Sequence, residues 1–224
     1  MRAMSGTSPV FEAEGVSVRL AGRTVVRGAS FALRPGERVA LIGPSGAGKT
    51  TLLRAAVGLA EREAGTLRFR GEVVADDGWP RVRRAVVFVG QRPAMPPGTM
   101  REILAAPFRY KSAAGGFDPD RAVALLTRVG LDPGRLDDNA SRLSEGQQKR
   151  LALVRALLLD PAALLLDEPT SGLDPAGVER VEALLVELGA DGLACAVVTH
   201  DRAQAERLCH RTIDLAPLLH GSAA

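Results

Sequence analysis

The segment GPSGAGKT, residues 43–50, constrains this chain more than any other, because an apolar run (RVALIG) leads into it and a helically spaced one (TLLRAAVGLA) follows. It fits the pattern G-x-x-x-x-G-K-[ST], in which glycines let backbone N–H groups turn inward onto phosphate oxygens. A helix starting near Lys49 adds the positive end of its dipole. Gly43, Pro44, Ser45, Gly46, Ala47, Gly48, Lys49, Thr50 and Thr51 are therefore the candidate nucleotide-binding residues. Lys49 is placed to reach the β and γ phosphates, and Thr50 to offer a hydroxyl to Mg²⁺. Basic residues here are nearly all Arg; Lys occurs only at 49, 111 and 149. A lysine at position 49 fits a loop that needs a compact point charge.

A strand–loop–helix unit of this kind calls for a mostly parallel sheet covered by helices, and the rest of the chain agrees. Before residue 43, short apolar runs (VSVRL, TVVRGASFAL, RVALIG) read as strands, with GTLRFRGEVV as a further strand or hairpin and RAVVFVG as a buried strand. Residues 91 to about 142 carry several Pro and Gly clusters, with helical pieces near 99–106 and 119–129; Thr99 and Glu102 match a capping box. From 144 the pattern alternates: helix 144–158, strand 163–167, helix 175–188, strand 193–199, helix 201–208 and a short strand near 212–216. The expectation is one α/β domain, 1–224.

Strand ends beside the phosphate loop supply the remaining chemistry. ALLLDEPT places two carboxylates at the end of an apolar strand, and strand alternation sends them in different directions. Asp167 is suited to hold Mg²⁺ through its water shell, and Glu168 to orient or deprotonate an attacking water. His200 ends the strand CAVVTH, where it is placed to meet the γ phosphate or Glu168. Gln91 follows VVFVG, where its side-chain oxygen can touch metal or water. Catalytic candidates are thus Glu168, His200 and Gln91, and metal candidates Thr50, Gln91 and Asp167.

Composition excludes other classes. A formal charge of +3 is too small to make nucleic acid a main partner. Two cysteines, Cys195 and Cys209, make no disulfide framework, and Cys195 reads as a small buried hydrophobe. The start MRAMSGTSPVFE lacks the apolar stretch of a signal peptide, and every long apolar run is cut by Arg, Asp or Pro short of a membrane span. The chain is expected to be soluble, with any work at a membrane going through a partner.

Taken in order, GPSGAGKTT, Gln91, LSEGQ, LLLDEPTSGLD and His200 resemble the ATP-binding cassette (ABC) ATPases along nearly the whole chain. The resemblance implies ATP and Mg²⁺ as cofactors and a head-to-tail homodimer with two nucleotides at its interface. LSEGQ would be the signature motif, with Ser144, Gly146 and Gln147 facing the opposite subunit's ATP, and residues 171–174 the D-loop with Asp174. The resemblance also implies a core lobe of residues 1–90 and 159–224 with an N-terminal antiparallel β subdomain. It further implies an inserted helical subdomain, about 91–158, that would dock on a separate transmembrane permease and keep the chain cytoplasmic, peripheral on the inner face of the membrane. Two positions depart from the family pattern. Leu20 stands where an aromatic usually stacks on adenine, leaving base recognition to Leu20 packing or to Arg19 or Arg23. Glu145 stands where glycine is usual, and its side chain is expected to turn outward, away from a triphosphate.

The leading expectation is the ATPase subunit of an ABC transporter. DNA-repair and chromosome-organising ABC ATPases require a long coiled-coil insertion, whereas only about fifty residues separate Gln91 from the signature. Translation-type ABC factors carry two cassettes, and a small-molecule kinase would leave LSEGQ and LLLDEPTSGLD unexplained. QRPAMPPGTMREIL is similar to exporter-like cassettes, and the compact size resembles small ATPases of metal (iron) efflux type; no regulatory domain is expected past His200.

Overall fold

In a computed structural model of the chain, residues 8–46, 48–110 and 115–218 are described. Strands β1 (Phe11–Leu20), β2 (Arg23–Leu33), β4 (Arg62–Phe69) and β5 (Glu72–Val73) form an antiparallel sheet in the order β2-β1-β4-β5. Strands β3 (Arg38–Ile42), β6 (Val86–Val89), β7 (Ala163–Asp167), β8 (Ala194–Val198) and β9 (Arg211–Asp214) form a parallel sheet in the order β6-β7-β8-β3-β9. The helices are α1 (Lys49–Ala56), α2 (Trp79–Ala85), α3 (Met100–Ala105), α4 (Pro119–Arg128), α5 (Glu145–Leu157), α6 (Pro175–Ala190) and α7 (Arg202–Leu208).

The parallel sheet is buried on both faces, which is why its strands read as continuous apolar runs rather than alternating ones. Period-2 geometry still divides them. Val39, Leu41, Ala163, Leu165, Ala194, Ala196 and Val198 face a core shared with α1 and the antiparallel sheet. Leu164, Leu166, Cys195 and Val197 face a second core with α3 to α7. Leu164, Leu165 and Leu166 are all fully buried, each contributing about 1.5–3 kcal/mol relative to exposure.

Local chemistry sets the helix starts. Thr99 and Glu102 form both bonds of a capping box ahead of α3, and Ser144 and Gln147 do the same ahead of α5. Asp118, Asp174 and Asp201 cap α4, α6 and α7, the first two with proline at the first helical position. The short helix α2, in a stretch whose sequence suggested only the strand that follows, is the main element missed. Its Trp79 packs over Gly58, where a Cβ would lie 2.5 Å from the indole. Seven residues with two arginines in the last turn carry too little periodicity to announce a helix.

Among the described residues no helix is long and apolar enough to cross a membrane. Cys195 is fully buried, and desolvation pushes its thiol up to about 12, so it packs as a small hydrophobe.

Candidate nucleotide site at the carboxyl ends of the parallel strands

The phosphate loop leaves β3 and enters α1 with Gly46 and Gly48 both at φ +76°. Gly48 has no alternative: a Cβ there would lie 2.9 Å from Val26 Cγ2 and 3.1 Å from Val25 Cγ2, so β2 closes over the back of the loop. Lys49 is buried, and its ammonium folds back to donate to the carbonyl oxygens of Gly43 and Pro44, each at 2.8 Å. Pro44, Ser45 and Gly46 form the exposed rim, while Thr51 is buried. Ala47 lies outside the described residues.

Thr50 and Asp167 meet directly, the Thr50 hydroxyl donating to Asp167 Oδ2 at 2.7 Å. The sequence expected the Asp167 strand end to lie beside the phosphate loop, and it does, although the two strands do not pair: β8 lies between β7 and β3. The two residues meet because α1 crosses the sheet, not because their strands pair. Burial raises the Asp167 carboxyl above its ordinary value; the Thr50 hydrogen bond pulls the other way, and the neighbouring Glu168 charge adds to the rise.

Glu168 occupies a left-handed conformation, φ +49°, which costs a non-glycine residue about 1–2 kcal/mol. The turn is held at several points. Glu168 N–H donates to Val198 O at 3.0 Å, and its carbonyl accepts from Ser171 N–H at 3.2 Å and from the Ser171 hydroxyl at 3.2 Å. Its carboxylate is held as well: Gln91 Nε2 donates to Oε2 at 2.8 Å, and His200 Nδ1 lies 3.2 Å from Oε1. Gln91, Glu168 and His200 follow β6, β7 and β8, three adjacent strands, so parallel order alone brings them together. Gln91 Oε1 stays free of this pairing, and of the two alternatives for His200 the side chain takes the one toward Glu168.

The signature residues form a separate end. The Ser144 hydroxyl accepts from Gln147 N–H at 3.3 Å, and Gln147 Oε1 accepts from Ser144 N–H at 2.9 Å. Gly146 packs against residues 172–173, where a Cβ would lie 2.9 Å from Leu173 Cδ2. The Asp174 carboxylate accepts from Gly177 N–H at 2.8 Å and caps α6. The sequence signal for that role, Asp followed by Pro before an apolar periodic run, was legible but overshadowed by the motif. Glu145 turns outward, 70% exposed, 3.5 Å from Lys149. Leu20 sits at the β1–β2 turn, 55% exposed, and Arg19 pairs with Glu63 at 3.0 Å.

A glycine-lined loop ahead of α1, with a carboxylate and a hydroxyl beside it on an open parallel sheet, defines a P-loop nucleotide-binding domain. A family model described as ABC transporter matches residues 26–171. The chain is 40% identical over 198 residues to "Fe(3+) ions import ATP-binding protein FbpC 2" of Rhodococcus jostii (strain RHA1), covering 87% of this chain and 56% of that protein. It is 41% identical over 193 residues to "Nod factor export ATP-binding protein I" of Paraburkholderia xenovorans (strain LB400), covering 84% of this chain and 62% of that protein. A dimeric ATP-binding cassette bound to ADP and Pi superposes with a TM-score of 0.79 at 29% identity, over 92% of this chain and 94% of that one. The chain belongs to the ABC transporter family, among its ATP-binding subunits. It spans little more than half the length of the curated relatives it matches.

Proposed function

We propose that this chain binds Mg²⁺·ATP and hydrolyses it as the energy-supplying subunit of an ABC transporter, acting on a separate transmembrane permease from the cytoplasmic face of the membrane. The observation that carries the reading is the convergence of Gln91, Glu168 and His200, with Thr50–Asp167 beside them, at one edge of the parallel sheet.

In this reading residues 43–51 wrap the phosphates, and Lys49 exchanges the Gly43 and Pro44 carbonyls for β and γ oxygens. Thr50 and Asp167 suit Mg²⁺: both offer hard oxygen donors, and a buried carboxyl with a raised pKa has more to gain from a cation than a solvated one. Among the described residues no group of three or more His, Cys, Asp or Glu is placed to hold a metal by itself, so phosphates and waters would complete the shell. Bound there, the ion would neutralise charge developing on the β–γ bridge.

Glu168 takes a proton from water as the water oxygen bonds to the γ phosphorus and the bond to ADP breaks. Gln91 and His200 hold the carboxylate in line, and Gln91 Oε1 is left to orient the water or touch the metal. Ser144, Gly146 and Gln147 would meet the nucleotide of a second copy in a head-to-tail homodimer, with Asp174 in the crossing loop. Residues 1–90 and 159–224 act as the core lobe, and about 91–158 as the helical part that meets the permease.

That partner face has a physical character. Two adjoining grooves share Pro107, Arg155 and Leu159, and their other lining residues include Arg92, Leu59 and Tyr110. Leu59 and Tyr110 are 57% and 71% exposed, and neither Arg92 nor Arg155 makes an ion pair among the described residues. Relatives named for iron import and for Nod factor export match at 40% and 41% identity and so single out no one cargo or direction; in this reading both are set by the permease.

The test is ATP turnover by the purified chain, with and without its co-purified permease, against Glu168→Gln. The variant is expected to bind ATP, to lose about 10²- to 10⁴-fold in turnover, and to accumulate as an ATP-bound dimer. Rapid hydrolysis by Glu168→Gln would remove Glu168 as the base.

A further inference from the structure

Lys149 is a charged side chain the nucleotide chemistry leaves unused. It lies on the inner side of α5, 6% exposed. Its ammonium donates to the Ser171 carbonyl at 2.7 Å and to the Ser171 hydroxyl at 2.8 Å. An ammonium this buried is costly unless charge and hydrogen bonds compensate it. Glu145, one helical turn earlier at 3.5 Å, is the carboxylate that pairs with it among the described residues. Glu145, out of place as a residue facing phosphate, is in place as the counter-ion of a buried lysine.

Ser171 passes the contact on. Its hydroxyl accepts from Lys149 and donates to the Glu168 carbonyl, which also takes the Ser171 N–H. Those two bonds fix the carbonyl side of the left-handed Glu168, a backbone that must be held because it is intrinsically unfavourable. Gly146, on the first turn of α5, rests on the Gly172–Leu173 backbone immediately beyond.

We propose that Lys149 is a positioning residue for hydrolysis: its ammonium, neutralised by Glu145, grips Ser171 and through it sets the Glu168 turn, so that the start of α5 and the water-activating carboxylate of the same subunit shift as one unit. This rests on the reading of Glu168 as the base. Removing the grip leaves the phosphate loop intact but frees Glu168 to leave its strained conformation. Lys149 therefore acts on turnover and not on nucleotide binding.

The experiment compares Lys149→Met, Lys149→Arg and Ser171→Ala in the full chain, measuring ATP affinity by equilibrium binding and kcat and KM by steady-state hydrolysis. Lys149→Met is expected to lose about tenfold or more in kcat, with Kd and KM for ATP unchanged, as misplacement of a reacting group does. Lys149→Arg restores most of the rate. Ser171→Ala, at a half-buried site that tolerates the smaller side chain, shows the same kcat loss, and combining it with Lys149→Met adds nothing further. Glu145→Gln slows the parent but has no effect in the Lys149→Met background. Full kcat in Lys149→Met or in Ser171→Ala, additive losses, or equal losses in binding and turnover would overturn the proposal. An unmutated chain that binds ATP without hydrolysing it, even with its permease, would instead overturn the proposed function, and this inference with it.

Discussion

The Thr50 hydroxyl donates a 2.7 Å hydrogen bond to Asp167 Oδ2, joining residues 117 positions apart at the point where α1 crosses the parallel sheet. The contact places one hydroxyl on a buried carboxyl whose pKa burial has raised. A raised carboxyl pKa means that the folded state holds the proton longer than the unfolded chain, so ionised Asp167 costs stability as pH rises above the ordinary carboxylate range. Asp167→Asn is expected to raise the melting temperature of the nucleotide-free protein at neutral pH. The same variant should lose about tenfold or more in Mg²⁺-dependent ATP affinity. Thermal melts with and without Mg²⁺·ATP read both effects.

Lys49 shows the opposite balance. Its two bonds to the loop's own carbonyls pair the ammonium with neutral acceptors, whereas phosphate pairs it with opposite charge. Lys49→Ala should weaken ATP binding by about 1.5–3 kcal/mol, roughly ten- to a hundredfold, in equilibrium titration. Unchanged affinity would contradict the phosphate-loop assignment.

Glu145 and Gly146 are adjacent yet should respond very differently. Glu145 points outward, so Glu145→Gly is expected to change steady-state ATPase activity only a few-fold. Gly146→Asp drives a side chain into Leu173; in the proposed head-to-tail dimer it would also set a carboxylate against the opposite nucleotide. It should cost about 1–3 kcal/mol in stability and abolish nucleotide-dependent dimerisation, which light scattering would detect. The reverse ranking would mean that the helix start is turned the other way.

Behind the site, Glu182 ties α6 to α7. Arg207 donates to it twice, at 2.7 and 2.8 Å, and Gln204 once at 3.0 Å, while Gln204 also reaches the Thr170 hydroxyl. The Arg207 hydrogen bond holds the Glu182 carboxyl below its ordinary value of 4.5, against the rise from burial. A lowered carboxyl pKa contributes stability above the unfolded value and loses it as pH falls through the folded one. Glu182→Gln should therefore destabilise by about 1 kcal/mol near neutrality, with Arg207 half in solvent. In denaturant melts across pH, the difference from the parent should shrink once pH drops below about 4.

The grooves around Arg155 set a prediction for partnership. Arg155→Ala together with Tyr110→Ala should lower the yield of a polytopic membrane protein, identified by mass spectrometry, in detergent co-purification. ATP affinity should stay within about twofold, since neither residue belongs to the phosphate loop or to the Gln91–Glu168–His200 group. Undiminished recovery would place the permease contact elsewhere.

The glycine turn ahead of α1, the strand end at Asp167 and Glu168 and the capping box at Thr99 were legible from sequence because each is a local arrangement: a turn, a strand end, a side chain reaching three residues along its own backbone. The alternating apolar runs likewise determined a parallel sheet between helices. The strand order was not legible, because β8 enters between β3 and β7 through long-range pairing that no local period encodes. Nor was the left-handed Glu168, since nothing in its residue type prefers that backbone and it is held by bonds that include a tertiary one to Val198. LSEGQQKR marks the divide. Its sequence announces a helix start with Glu145 turned outward, but that Glu145 meets a buried Lys149 bonded to Ser171 follows only from the packing of α5 on the turn after β7.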